Sequence, residues 1–185
     1  LVSGGRTGIN AQNNGGALSI TSTGDVTGDS GYGISANNSG TGLTITAAAV
    51  SGGFVGIAAQ NSGGALSIRS TGDVTGDDYF GIFARNSGTD LSISAALVSG
   101  GRTGIYARNY GSGTLSITST GRVTGGNYGI MADNYSGTDL TISAASVSGR
   151  IGIYARNHGT GDLSVTATGP VTGTTGSGIF TINDS

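Results

Sequence analysis

Carboxylates are the first groups in this chain that could do chemistry. Asp25 with Asp29, and Asp73 with Asp77 and Asp78, are its acidic clusters. Glycoside hydrolysis needs a carboxyl pair at a set separation, one member donating a proton and the other acting as base or nucleophile. Oxygens of the same kind, about six to eight of them, hold calcium. The two clusters lie two repeats apart, and Arg122 and Pro170 stand at the place of Asp25 and Asp73 in later repeats. A catalytic pair sits at one place, and a repeating calcium site keeps its ligands in every turn. The strings therefore read as turn residues. His158 is the single histidine and the chain has no Cys, so a metal site or a nucleophilic triad lacks partners. The expectation is a protein that is not an enzyme and uses no cofactor or metal.

The other reactive side chains are arranged by position in a repeat. The string GI-x-A-x-N occurs at 8–13, 33–38, 56–61, 81–86, 104–109, 129–134 and 152–157, with a degraded copy from Gly178 to Asn183. Its first variable position holds Phe83, Tyr106, Met131, Tyr154 and Phe180; the first three repeats carry Asn10, Ser35 and Ala58 there. Its second holds Arg85, Arg108, Asp133 and Arg156. Stacked in space, these become an aromatic strip beside an ionic ladder. Exposed aromatic strips mark contact sites, although they also stabilise sheets by packing. Asp133 would sit between two arginines in an exposed ladder, where each ion pair contributes little.

A third array is made of hydroxyls. Ser19 and Thr21, Thr44 and Thr46, Ser92 and Ser94, Ser116 and Thr118, Thr141 and Ser143, and Ser164 and Thr166 recur in one pattern, with Ser67 and Arg69 at the third copy. The array is similar to the flat Thr-x-Thr faces of ice-binding β-solenoids. Ser at about half the places and Arg69 in the plane weaken that alternative. Small hydroxyls are also ordinary solvent-facing strand residues.

What positions these groups is the period itself. The isoleucines of the string are separated by 25, 23, 25, 23, 25, 23 and 26 residues. Each unit has three short apolar segments between Gly-rich turns: V-[ST]-G, I-x-A-x-N and L-x-I. Apolar and polar residues alternate within them, which is a strand signal. Three strands per unit predict one triangular coil of a parallel β-helix, with neighbouring coils pairing ~4.8 Å apart. The period of two sends Val, Ile, Ala, Leu and the second Ile inward. It also places Asn13, Asn38, Asn61, Asn86, Asn109, Asn134 and Asn157 on the inner side of a corner, where stacked amides can satisfy one another. A higher period of two coils shows in the segment-three tails, which alternate between S-T-G-[DR] and A-A-[ALS].

Composition narrows the class further. Leu 9, Ile 16, Val 10 and Phe 4 make 39 of 185 residues, or 21 %, at the edge of the disordered range. The regular placement argues for order, because stacked repeats share one core. Glycine supplies 38 residues, and Lys, Glu, Cys and Trp are absent. Eight Arg against ten Asp make no basic face, so nucleic acid is not an expected partner. No stretch reaches the ~18 apolar residues of a membrane helix, so direct membrane insertion of this segment is not expected. No signal peptide is recognised. The chain opens within a unit, since residues 1–9 repeat as 97–105. We therefore expect residues 1–185 to be one β-helix array cut from a longer repeat region.

The pattern GI-x-A-x-N, GT-[GD]-L-[ST]-I and V-[ST]-G resembles the passenger domains of autotransporters, the type V secretion proteins of Gram-negative bacteria. The resemblance covers nearly the whole chain, and related repeats occur in other secreted β-helix adhesins. It implies a right-handed three-stranded parallel β-helix, in line with the usual crossover hand. It implies export through an outer-membrane barrel, display at the cell surface or secretion, and a role in virulence. The catalytic serine motif of protease autotransporters is absent, so a stalk or adhesive segment is implied. Partners would be a host surface, a glycan or a protein of a sister cell. The contact strip would be Phe83, Arg85, Tyr106, Arg108, Met131, Tyr154, Arg156 and Phe180. An ice-binding solenoid and a carbohydrate-active β-helix are the alternatives.

Overall fold

The computed structural model describes residues 1–185. Every element is a strand, and every strand pairing is parallel. The chain winds as a β-solenoid of about eight coils at a spacing of ~24 residues. Coil one runs through Val2–Gly4, Ile9–Asn13 and Ala17–Ser22, and coil eight closes with Val171–Gly173 and Ile179–Asn183. The I-x-A-x-N segments stack as one eight-stranded sheet in strict chain order. The other two segments of each coil form a second sheet, joined into single strands at Leu115–Gly125 and Leu140–Gly149.

Register is what makes the repeat meaningful in space. Ile82 pairs with Ile57 below and Ile105 above, and Asn86 with Asn61 and Asn109. The same zero offset holds for Leu on Leu and Val on Val. Each coil is thus held by the next at every strand, and turn amides join in, as in Ser39 N–H donating to the Asn13 carbonyl at 2.8 Å. Thirty-two buried residues form one core running through the stack. They are the inward Val, Ile, Ala and Leu of each coil, most of them without solvent exposure. Fully burying a Val, Leu or Ile side chain stabilises by roughly 1.5–3 kcal/mol. Only stacking makes that burial possible, since a lone coil has no interior.

Two local features explain recurring residues. A Cβ on Gly104 would fall 2.6 Å from Val123 Cγ1 and 2.7 Å from the Gly129 carbonyl oxygen, so the glycine before the isoleucine lets two segments of neighbouring coils touch. The two-coil alternation also has a physical role. In the longer tails, Ser22, Ser70 and Ser119 each donate to the carbonyl two residues on, closing the extra residue into a turn. Ser70 and Ser119 donate as well to the coil below, at Ala48 and Ala96.

Inside the corner, the asparagines form a continuous chain of amides. Asn13 Nδ2 donates to Asn38 Oδ1, and the same bond repeats through Asn61, Asn86, Asn109 and Asn134 to Asn157, at 2.7–3.4 Å. Most also close their own corner: Asn109 Nδ2 donates to the Gly113 carbonyl, and its Oδ1 accepts from the Gly111 N–H. Buried amides left unpaired cost about 1–3 kcal/mol each. Asn109→Ala is therefore expected to lower unfolding free energy by about 2–4 kcal/mol, because Asn134 and the Gly111 amide both lose a partner. Asn13→Ala, at the solvent-exposed first coil, should cost less than half as much. Urea unfolding of the two variants checks the difference.

Candidate functional site

The outward positions of the I-x-A-x-N sheet carry the groups with chemical potential. Pairing places Phe83, Tyr106, Met131, Tyr154 and Phe180 in one column, and Arg85, Arg108, Asp133 and Arg156 in the next. Rings meet along the first column: Phe83 and Tyr106 lie 5.7 Å apart, and Tyr154 stacks on Phe180 at 5.1 Å with planes 8° apart. Each arginine caps a ring. Arg108 lies 4.6 Å above Tyr106, Arg156 lies 5.2 Å above Tyr154, and Arg85 lies 4.9 Å above Tyr110 in the coil above. Such contacts fix otherwise mobile side chains on a surface.

The ionic ladder differs from the exposed one expected from sequence. Asp133 has no solvent exposure, while the side chains of Arg108 and Arg156 keep 34 % and 28 % of theirs. The cause is length: a short carboxylate between two long side chains one coil away on either side is roofed by both. The pairing is unequal. Arg156 Nε donates to Asp133 Oδ1 at 2.8 Å, and this bond holds the guanidinium pKa above its ordinary value. Arg108 Nε stands 3.8 Å from Oδ2, beyond hydrogen-bond distance, and both atoms are buried without another partner. Asp133→Asn removes the charge and leaves two guanidinium groups facing each other. We expect a loss of about 1–2 kcal/mol in thermal or urea unfolding, below the ~3–5 of a fully buried pair because both arginines keep water contact.

A corner column lies beside this ladder. Tyr110 and Tyr135 stack face to face at 4.5 Å, and His158 stacks on Tyr135 at 6.0 Å. His158 Nδ1 also contacts Asp184 Oδ2 at 2.7 Å, tying the last residues to coil seven. From sequence His158 lacked any partner; the final turn supplies one that no spacing rule reveals. Burial, then the charge of Asp133, pushes the Tyr135 phenol pKa above its ordinary value. A phenol whose folded pKa is raised stabilises the fold fully below its unfolded value of about 10, and that contribution is lost as pH rises through the folded value. In an ultraviolet titration, Tyr135→Phe should delete a late phenolate step and leave the earlier ones in place.

Aromatic residues outside the repeated string extend the surface toward the first coils. Tyr32, Phe54, Tyr79 and Phe80 come from the turn and strand start before each isoleucine. Their rings meet in sequence: Tyr32–Phe54 at 6.0 Å, Phe54–Tyr79 stacked at 5.2 Å, Tyr79–Phe80 at 4.3 Å and Phe80–Phe83 stacked at 5.5 Å. Arg102 caps Tyr79 and hydrogen-bonds its hydroxyl. The aromatic face thus begins at coil two. Where the floor column holds Ser35 and Ala58 instead of a ring, a cavity of about 260 Å³ opens against these side chains. A second cavity, about 360 Å³, lies over coils one and two and shares Tyr32, Ser35 and Asn37 with it. Together they form one trough.

Elsewhere the surface is plainer. The hydroxyl columns are in register, from Ser19 on Thr44 through Ser116 on Thr141 to Ser164, with Arg69 exposed in the plane. Asp25 and Asp73 line a shallow cavity of about 190 Å³ with Ala49 between them. No group of three His, Cys, Asp or Glu side chains converges as a metal site would need. The chain matches no protein-family model, no curated protein and no solved structure.

Proposed function

We propose that this chain is a non-enzymatic structural and adhesive segment of a surface-displayed or secreted bacterial protein, of the autotransporter passenger type. It acts as a rigid stalk and as a lateral binding surface. The observation that carries this reading is the pair of in-register columns on one outward face, aromatic rings capped by arginines. Rings and guanidinium groups are the side chains that contribute most when buried in an interface. Here their rotamers are already held by stacking, which lowers the entropy lost on binding. The repeat resemblance supports export across the outer membrane and display. Stiffness follows from the pairing: coils joined at three strands and at the turns leave few soft joints. The partner would be a host surface, a glycan or a protein on a sister cell.

The test uses substitutions the fold already tolerates. Coils one to three carry Asn10, Ser35 and Ala58 at the ring register. Tyr106→Ala with Tyr154→Ala should therefore melt within a few degrees of the parent. We expect it to lose binding to host or sister cells at least ~10-fold, as removal of interface anchors does. Unchanged cell binding would reduce the strip to packing.

A further inference from the structure

We infer that the trough over coils one to four is a binding site for a neutral oligosaccharide lying along the solenoid axis. The inference rests on the lateral-surface reading above, and it names a site and a ligand class that reading does not contain.

The trough is built from three different columns. Its floor is Asn10, Ser35 and Ala58, small groups where later coils carry rings. One wall is aromatic, formed by Tyr32, Phe54, Tyr79 and Phe80, and Phe83 closes the end. The opposite wall is the column Gln12, Asn37 and Gln60, paired coil on coil. These three amides make no hydrogen bond within the protein, in contrast to the inner asparagines a residue away, which are all bonded. Gln12, Asn37 and Gln60 are exposed, and Phe54 keeps 38 % of its surface exposed. One side therefore presents ring faces and the other presents free donors and acceptors, with a gap between.

That division matches a sugar ring. A pyranose has an apolar C–H face, suited to the negative face of an aromatic ring, and an equatorial rim of hydroxyls suited to carboxamides. The amides repeat once per coil, at ~4.8 Å, close to the length of one hexose unit, so successive sugars meet equivalent groups. Cavity size agrees with a few units, since ligand sites run from roughly 300 Å³ upward. Charge selects a neutral chain. No charged side chain lines the aromatic half, and Arg6 alone stands at the far end of the polar half. The nearest other arginines are engaged, Arg102 on Tyr79 and Arg85 on Tyr110. An extended peptide is a poorer fit. It binds sheets by pairing with a free edge, and the strands under the trough already pair on both sides from coil two to coil four.

The experiment titrates the whole isotope-labelled chain with hexamers of β-1,4-linked glucose, mannose and N-acetylglucosamine, to about 10 mM, because a shallow solvated site gives Kd near ~1 mM. We expect at least one neutral hexamer to shift the side-chain amide signals of Asn37 and Gln60 saturably. Ala58→Tyr fills the floor with the residue that coils five and seven carry at that register, so the fold accepts it. It should weaken binding at least ~10-fold, and Phe54→Ala, on an exposed turn, should weaken it severalfold. Failure of every neutral hexamer to shift these signals overturns the inference. So does tighter binding of hexagalacturonate or of an extended decapeptide at the same residues, and so does undiminished binding by Ala58→Tyr. The adhesive reading is judged separately, by cell binding of the Tyr106 and Tyr154 double variant, so either idea can fail alone.

Discussion

Zero-offset parallel pairing between coils is the constraint on which everything else here depends. Backbone hydrogen bonds ~4.8 Å apart put each residue directly over its counterpart one coil earlier. A period in the chain thereby becomes a column in space. The core needs this, because Ile, Leu and Val acquire an interior only when the next coil covers them. The inner asparagines need it too. An isolated Asn at that corner would bury an unsatisfied amide, whereas Asn13 to Asn157 bond one to the next along the stack.

Columns also magnify single differences between repeats. One Asp among arginines is unremarkable on a helix surface, but at position 133 it is roofed from both sides and loses all solvent contact. Ala58 in a column that elsewhere holds Phe or Tyr turns a ridge into a hollow. The face is therefore written by departures from the repeat, on a scaffold that the repeat maintains. The exposed positions can vary without endangering the core, since the alternation of the strand keeps the two sets apart.

Much of this was legible beforehand. The fold class, the coil number, the inward set and the register of the Phe83–Phe180 strip all follow from the 23- and 25-residue spacing and the alternation within it. The trough was not. Tyr32, Phe54, Tyr79 and Phe80 belong to turns and strand starts, outside the string that marks the repeat, and they differ from coil to coil. Nothing periodic singles them out. The role of the segment-three alternation was also opaque: an extra residue is visible in the spacing, but the bonds of Ser70 to Ala48 and Gly72 are not.

Local pattern thus decides what is repeated, because strand alternation and hydrogen-bond spacing act on each residue independently of its neighbours in space. The stacked structure alone decides which unlike residues meet across a corner. Those meetings depend on how the chain turns between segments and on side-chain lengths in the coils above and below. Arg156 reaches Asp133 and Arg108 does not; Asp184 returns to His158; Phe54 and Tyr79 stack into a wall facing Asn37 and Gln60. Each of these joins groups about one coil or more apart along the chain, at positions where the period of two no longer says which way a side chain points.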